Sequence, residues 1–423
     1  MIDKYNLKEK TVLVFDFGSQ IAVAERLSRD FGKVLYYIPS VINGFKDHKA
    51  HTIGRGIPGI ERVDDFWNYF NEIDLFVFTD IYEGPLQDYL RAVGKPVFGG
   101  GRGSELESER LKFKELIKSL KLPINEYESA EGLTELESKL MQMEGRYIKS
   151  KLRGDMETWH HENHTLSQTE LRRMKHDMGV YGEKETYIIE SPIDAIGEIG
   201  YDGYCVDGVY PEISCCGIEV KDAGYIGKMI RYDRLPKQIK TVNEKFAAIL
   251  KSYNYRAAFS TEIRVDEKKE GYFIDPTLRF PEPNTALTLE MYDNFSEIIW
   301  DVANGKVPNI KWTYEWGCEF IIKSELAKTE PVAFQFPDKY KNYVKLKNLV
   351  IDDKGVHWYT PNNVEMAEVG AVVGLGRTMD QAVKMATEIA ETIKCFDIKI
   401  KTDCIEDANK QIKDLRKNGI NFL

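Results

Sequence analysis

"YFIDPTLRFPEPN" runs from Tyr272 to Asn284, and its reading decides the fold. Tyr272, Phe273 and Ile274 have the composition of a buried strand. Asp275, Thr277 and Arg279 then follow at every second position, so all three point to one face. Upstream, "AFSTEIRV" (258–265) carries Glu262 and Arg264 with the same alternation, and "DEKKEG" (266–271) is the polar, glycine-ended turn of a hairpin. If Val265 pairs with Tyr272, Glu262 stands opposite Asp275. Cross-strand neighbours lie about 4.5–5.5 Å apart at Cβ, and like charges at that distance repel. Two explanations stay open: a solvent-facing hairpin with ordinary acids, or a pair of carboxylates meant for a cation.

Bulk properties narrow the choice. The chain has 423 residues, enough for two to four domains, with 43% apolar and 30% charged residues, as in globular proteins. Its formal charge of −10 excludes a general nucleic-acid backbone binder, which needs a basic footprint. No run approaches the ~20 apolar residues of a membrane span, and "MIDKYNLKEK" does not read as a signal peptide. Cys205, Cys215, Cys216, Cys318, Cys395 and Cys404 form no CxxC pair, which fits a reducing cytoplasm. The Cys215–Cys216 neighbours read as strand packing.

Residues 1–104 alternate strands ("TVLVFDF", "KVLYYIP", "DLFVFTD", "KPVFGG") with helices ("SQIAVAERLSRDF", "GPLQDYLRAVG"), which predicts a small parallel α/β domain closed by the glycines of "GGGRG". The first strand is followed by "DFGSQ" and not by GxGxxG, so nicotinamide binding has no support. Residues 105–305 begin with one amphipathic helix, "SELESERLKFKELIKSLKLP". A helix "EGLTELESKLMQM" and a strand "GRYIKS" follow, then a β-rich stretch ("ETYIIES", "EIGYDGYCVDGVY", "ISCCGIEV") and the helix "IKTVNEKFAAILKSY". After a linker-like "DVANGKVPNIKW", residues 306–423 form a small α+β unit of three strand runs and two late helices.

The order acid–x12–acid–x–polar from Glu262 through Asp275 to Thr277, followed by Arg279, resembles the metal end of the ATP-grasp superfamily. Other parts resemble that family in the same order. Arg110 lies thirteen residues before Pro123, like the family's helix cation, and "YIKS" supplies Lys149 where a lysine meets nucleotide phosphates. "YIIES" looks like the adenine-receiving hinge, with Ile189 and Glu190, and "GEIGYDGYCVDG" puts Glu198 in the place of a ribose-binding acid. Over nearly its whole length the chain is similar to the glycinamide ribonucleotide synthetase (phosphoribosylamine–glycine ligase) family, including "VGAVVGLGRTMDQAV" near the C-terminus.

The resemblance implies a parallel-sheet N-domain, a two-lobed ATP-grasp unit and a small C-terminal domain. It implies ATP and Mg²⁺ as cofactors and a ligase that phosphorylates a small-molecule carboxylate before an amine attacks it. Arg110, Lys149 and Lys151 would hold phosphates, Ile189, Glu190 and Glu198 the nucleoside, and Glu262, Asp275 and Thr277 the metal. Arg279 would stabilise the acyl phosphate. The protein is expected to be a cytoplasmic monomer or small homo-oligomer. The chain also departs from the family: Asp275 replaces a glutamate, Thr277 an asparagine and Arg110 a lysine, and "DFGSQIAVAE" stands where the phosphoribosylamine loop belongs. The expected acceptor is therefore not the purine intermediate. Strict phosphoribosylamine–glycine ligase activity in purine synthesis and a non-catalytic nucleotide binder are the alternatives.

Three further stretches have competing readings. In "WHHENH", His160 and His164 could share a helix face as zinc ligands, a histidine could touch substrate, or the segment could be a solvated loop. "KLRGDMET" (151–158) is either a loop closing over phosphates or a surface turn. "DDFWNYFNEIDLF" reads as core. No GxSxG or other nucleophile motif occurs.

Overall fold

The computed structural model describes residues 5–39, 41–42, 45–46, 51–150, 157–362 and 367–423. Lys151 and most of the 151–158 loop lie outside the described residues. The N-terminal strands Thr11–Phe15, Lys33–Tyr37, Leu75–Phe78 and Val97–Phe98 form as expected. With Ile60–Val63 they make one parallel sheet, in which Thr11–Phe15 sits between Lys33–Tyr37 and Leu75–Phe78. Val12 and Val14 face one core and Leu13 and Phe15 another, so the sheet is buried on both sides, the usual state of parallel strands. Ile60–Val63 escaped the sequence reading because an edge strand "IERV" has no apolar run. The aromatic stripe that follows it is mixed: Phe66 and Phe76 are buried, whereas Trp67 is 48% exposed.

The helix expected over 105–122 is two pieces, Glu105–Ser108 and Arg110–Ser119, broken at Glu109 (φ −86°, ψ 65°). The break places Arg110 at the first position of the second helix, next to the small lobe. That lobe is a four-stranded antiparallel sheet in the order Thr158–His161, Arg146–Lys149, Thr186–Glu190, Tyr127–Glu131. Helices Leu133–Leu140 and Gln168–Met178 cover one face through a core of Leu136, Ile148, Trp159, Leu171 and Ile189. By alternation the opposite face carries Tyr147, Lys149, Glu190 and His160.

The opening hairpin is real: Arg256–Asp266 pairs with Gly271–Thr277, and Ala195–Val206 flanks it on the other side. Helix Lys237–Ser252 packs against this sheet. A larger sheet takes Ile213–Val220 and Gly224–Arg231 together with Trp316–Lys323, Glu368–Gly376 and Val344–Leu346. It runs across residue 305, so the 306–423 segment completes a sheet begun in the central segment. Gly224–Arg231 is another strand missed in the sequence, its two glycines hiding its β character. The N-terminal sheet is tied to the hairpin through the Gly99 amide, which donates to the Arg256 carbonyl at 2.8 Å.

Candidate active site

The register of the hairpin differs from expectation and reaches the same end. Tyr272 pairs with Arg264, not Val265, and Ile263 pairs with Phe273; the next pair is Glu262 with Asp275. Ile274 is the extra residue of a β-bulge, which returns Glu262 and Asp275 to opposition. Phe273 and Ile274 are consecutive and both buried, as a bulge requires.

Asp275 does not face Glu262 uncompensated. Lys149 Nζ donates to its Oδ2 at 2.5 Å, and a terminal nitrogen of Arg110 donates to its Oδ1 at 2.9 Å. Arg110 also bonds the Glu157 carboxylate at 2.6 Å and, through Nε, the Ser150 carbonyl at 3.2 Å. Three elements from the two lobes thus meet at one carboxylate. Burial pushes the Asp275 carboxyl up, but Lys149 and Arg110 outweigh it and hold the group below the usual carboxylate range. Glu262 behaves oppositely: burial, then the charges of Glu198 and Asp275, push it up to about 8 against the pull of Lys221 and Lys149. Glu219, half-buried beside Glu262, is raised to about 7, chiefly by desolvation. Among the described residues Glu262 has no ion-pair partner.

Around this centre lie the other expected residues. Glu190 is 3% exposed, with Lys114 at 2.9 Å and Lys149 at 3.7 Å from one oxygen and the Asn125 amide donating to the other at 3.2 Å. Burial depresses the Lys114 ammonium, against the pull of Glu190. Ile189 buries its side chain in the small-lobe core. Glu198 pairs in register with Arg264, whose Nε donates to it at 3.3 Å. The Arg264 guanidinium also lies 5.8 Å from the Tyr147 ring of the small lobe. Thr277 shares the face of Asp275, opposite Ser260. Arg279 is turned toward the N-terminal sheet, bonding Glu107 at 2.9 Å with Asp80 at 3.8 Å. Burial works against its charge, but Glu107 and Asp80 raise its pKa.

The structure separates the histidines. His160 and His161 lie on a strand, not a helix, so the reading that puts His160 and His164 on one helix face as zinc ligands finds no helix to carry it. His161 is fully buried, its Nδ1 2.8 Å from Ser167 Oγ and its Nε2 facing the Leu140 and Met143 carbonyls; its work is to hold the small lobe. Sequence reasoning missed Lys114, Glu157, Glu107 and Glu282. Lys114 carried a signal, since it lies one helical turn after Arg110. Glu282 sits inside the stretch quoted first, between two prolines. Its carboxylate receives Gln20 at 2.6 Å and Lys347 at 2.7 Å.

The oxygens present suit Mg²⁺ rather than a caged metal. Among the described residues no group of three or more His, Cys, Asp or Glu converges on one point. Magnesium usually takes one or two carboxylates and completes its shell with phosphates and water. An opposed Glu262–Asp275 pair, one member lacking a counter-ion, fits that habit.

Two lobes of antiparallel sheet facing each other across a lysine strand and an acidic hairpin define the ATP-grasp fold, and the chain has it. Among solved structures it is similar to phosphoribosylamine–glycine ligase from Thermotoga maritima (15% identity, 92% of this chain and 98% of that one, TM-score 0.66). It is also similar to the biotin carboxylase domain of Hydrogenobacter thermophilus 2-oxoglutarate carboxylase in complex with MgADP (15%, 97% and 95%, TM-score 0.62). A third is L-amino acid ligase from Bacillus licheniformis (12%, 92% and 99%, TM-score 0.58). No protein-family model matches the sequence, and no curated protein does. Among the described residues no helix is long and apolar enough to cross a membrane.

Proposed function

We propose that the protein is an ATP-dependent ligase that activates a small-molecule carboxylate as an acyl phosphate and transfers it to an amine. The observation that carries this reading is the convergence of Lys149 and Arg110 on Asp275, opposite Glu262. It is a cationic and an anionic set from separate elements, placed where a polyphosphate and a divalent ion need opposite charges. Lys149 and Arg110 bind phosphate oxygens and disperse the charge that grows during phosphoryl transfer. Ile189 and Glu190 mark the adenine end, and Glu198, oriented by Arg264, faces the ribose. Glu262, Asp275 and the Thr277 hydroxyl would hold Mg²⁺, which when bound screens the phosphates against the attacking carboxylate. Arg279 lies four residues beyond Asp275 at the mouth of the N-terminal sheet and stabilises the acyl phosphate. No side-chain nucleophile is needed.

The acceptor is an amine other than phosphoribosylamine. The loop after the first strand folds its amides onto its own carboxylate: Gly18 N donates to Asp16 at 3.0 Å and Gln20 N at 3.1 Å. Tyr36 and Thr79 hydroxyls complete the shell of this fully buried acid. Amides engaged in this way cannot cradle a phosphate. Formation of glycinamide ribonucleotide by the pure protein would overturn this part.

The overall test is ADP release with Mg²⁺ and pools of small carboxylates and amines, wild type beside Asp275→Asn and Glu262→Gln. Turnover in the wild type and its loss in both variants is expected. Equal turnover in all three sinks the assignment.

A further inference from the structure

Both oxygens of Asp275 are occupied, Oδ1 by Arg110 and Oδ2 by Lys149. Lys149 is 3% exposed, and a second Arg110 nitrogen is held by Glu157. The side chains assigned above to the phosphates are therefore engaged by protein carboxylates, and one of those carboxylates is assigned to the metal. A divalent ion arriving alone at Asp275 would have to displace both cations, leaving Lys149 only the more distant Glu190 at 3.7 Å and Arg110 with Glu157. Losing two charge-assisted bonds there costs more than one new ion contact returns. A polyphosphate removes that obstacle, because its oxygens offer Lys149 and Arg110 a replacement.

We infer that the divalent-cation site is assembled by the nucleotide: the phosphates draw Lys149 and Arg110 off Asp275, and only then do Asp275 and Glu262 take the metal. This rests on the ligase reading and adds to it an order of events. Asp275 is the counter-ion of the phosphate-binding cations in the free protein and a metal ligand in the loaded one. Glu262, with no cation to release, is the fixed half of the site. Metal and nucleotide then bind with positive coupling, and the coupling is reciprocal.

Calorimetry without turnover tests this, using Mg²⁺ alone, and ATP in EDTA, on the wild type and three variants. Mg²⁺ alone should show no binding to the wild type at concentrations that saturate it in the presence of ATP. In EDTA, Asp275→Asn should bind ATP about tenfold or more tightly than wild type, the order expected when two charge-assisted bonds no longer compete. Glu157→Gln, which releases only one nitrogen of Arg110, should tighten it less. Glu262→Gln alters the same face without releasing a cation, and its effect must be several times smaller than that of Asp275→Asn. If Asp275→Asn fails to fold, Glu157→Gln against Glu262→Gln carries the comparison. Equal effects of Asp275→Asn and Glu262→Gln, or tight binding of Mg²⁺ alone, overturn the inference while leaving the ligase reading intact. Absence of any MgATP binding by the wild type overturns both.

Discussion

Lys149 shows how far single residues were legible. The role proposed for Lys149 rests on the resemblance of "YIKS" to a nucleotide-binding strand, and the opposition of Asp275 to Glu262 on alternation in the hairpin. The Lys149–Asp275 bond spans 126 positions, and the Arg110–Asp275 bond spans 165. No local pattern encodes such a pairing, so the sequence could name the participants but not their apo arrangement. In the free protein Lys149 and Arg110 neutralise Asp275, whereas Glu262 has no ion-pair partner among the described residues. One consequence is measurable by thermal unfolding. ATP with Mg²⁺ should raise the melting temperature of the wild type by binding only the folded state. Lys149→Ala should lose most of that gain, because Arg110 alone cannot replace a buried ammonium. An equal gain in the variant would remove Lys149 from the phosphate site.

At the scale of elements, period-2 alternation found the hairpin, yet the register depended on a bulge at Ile274 that no turn residue announces. The error of one position cancelled only because the extra residue falls between the turn and the site. The histidine segment failed for a related reason: i,i+4 spacing suggested a helix face, whereas the segment became a strand set by pairing with Arg146–Lys149. A less visible arrangement joins the larger sheet to a helix. Glu319, on the strand Trp316–Lys323, is 3% exposed and accepts the Asn284 and Leu287 amides at 3.2 Å each, at the start of helix Thr285–Met291. It satisfies amides that a helix N-terminus leaves open. Burial, chiefly, pushes its carboxyl up to about 8. The folded state then binds a proton that the unfolded chain, near 4.5, has released. Stability from this group is full below about pH 4.5 and is lost as pH rises toward 8. Glu319→Gln keeps an acceptor oxygen and cannot ionise. Its melting temperature should gain on the wild type steadily from pH 5 to pH 8, by several degrees, and a constant difference across that range would show that the carboxyl does not titrate there.

Across the whole molecule, three distant segments meet at Lys347. Its ammonium lies 2.7 Å from Glu282, just beyond the hairpin, and 2.8 Å from Glu368 on the larger sheet; Gln20, from the loop after the first strand, holds the other Glu282 oxygen. These bonds tie the loop after the first strand, the segment just beyond the hairpin and the C-terminal residues together. The sequence offered no sign of them, because the two lysines of "YVKLKNLVI" read as solvated strand positions. The two carboxylates depend on that lysine: burial raises Glu282, and Lys347 pulls it back. Lys347→Met fills similar volume while leaving two acids facing each other. It should destabilise the fold by about 2–4 kcal/mol at pH 8, toward the lower end for a broken buried pair because both acids are partly exposed. The penalty should shrink at pH 5, where protonation removes the repulsion that the lysine had offset. Lys347→Arg should recover most of the loss, since charge and not shape is what the junction requires. Chemical denaturation of the three proteins at both pH values decides the matter: an equal penalty at pH 5 and pH 8 would mean that Lys347 acts through packing alone, and the junction would then be apolar in its energetics despite its charges.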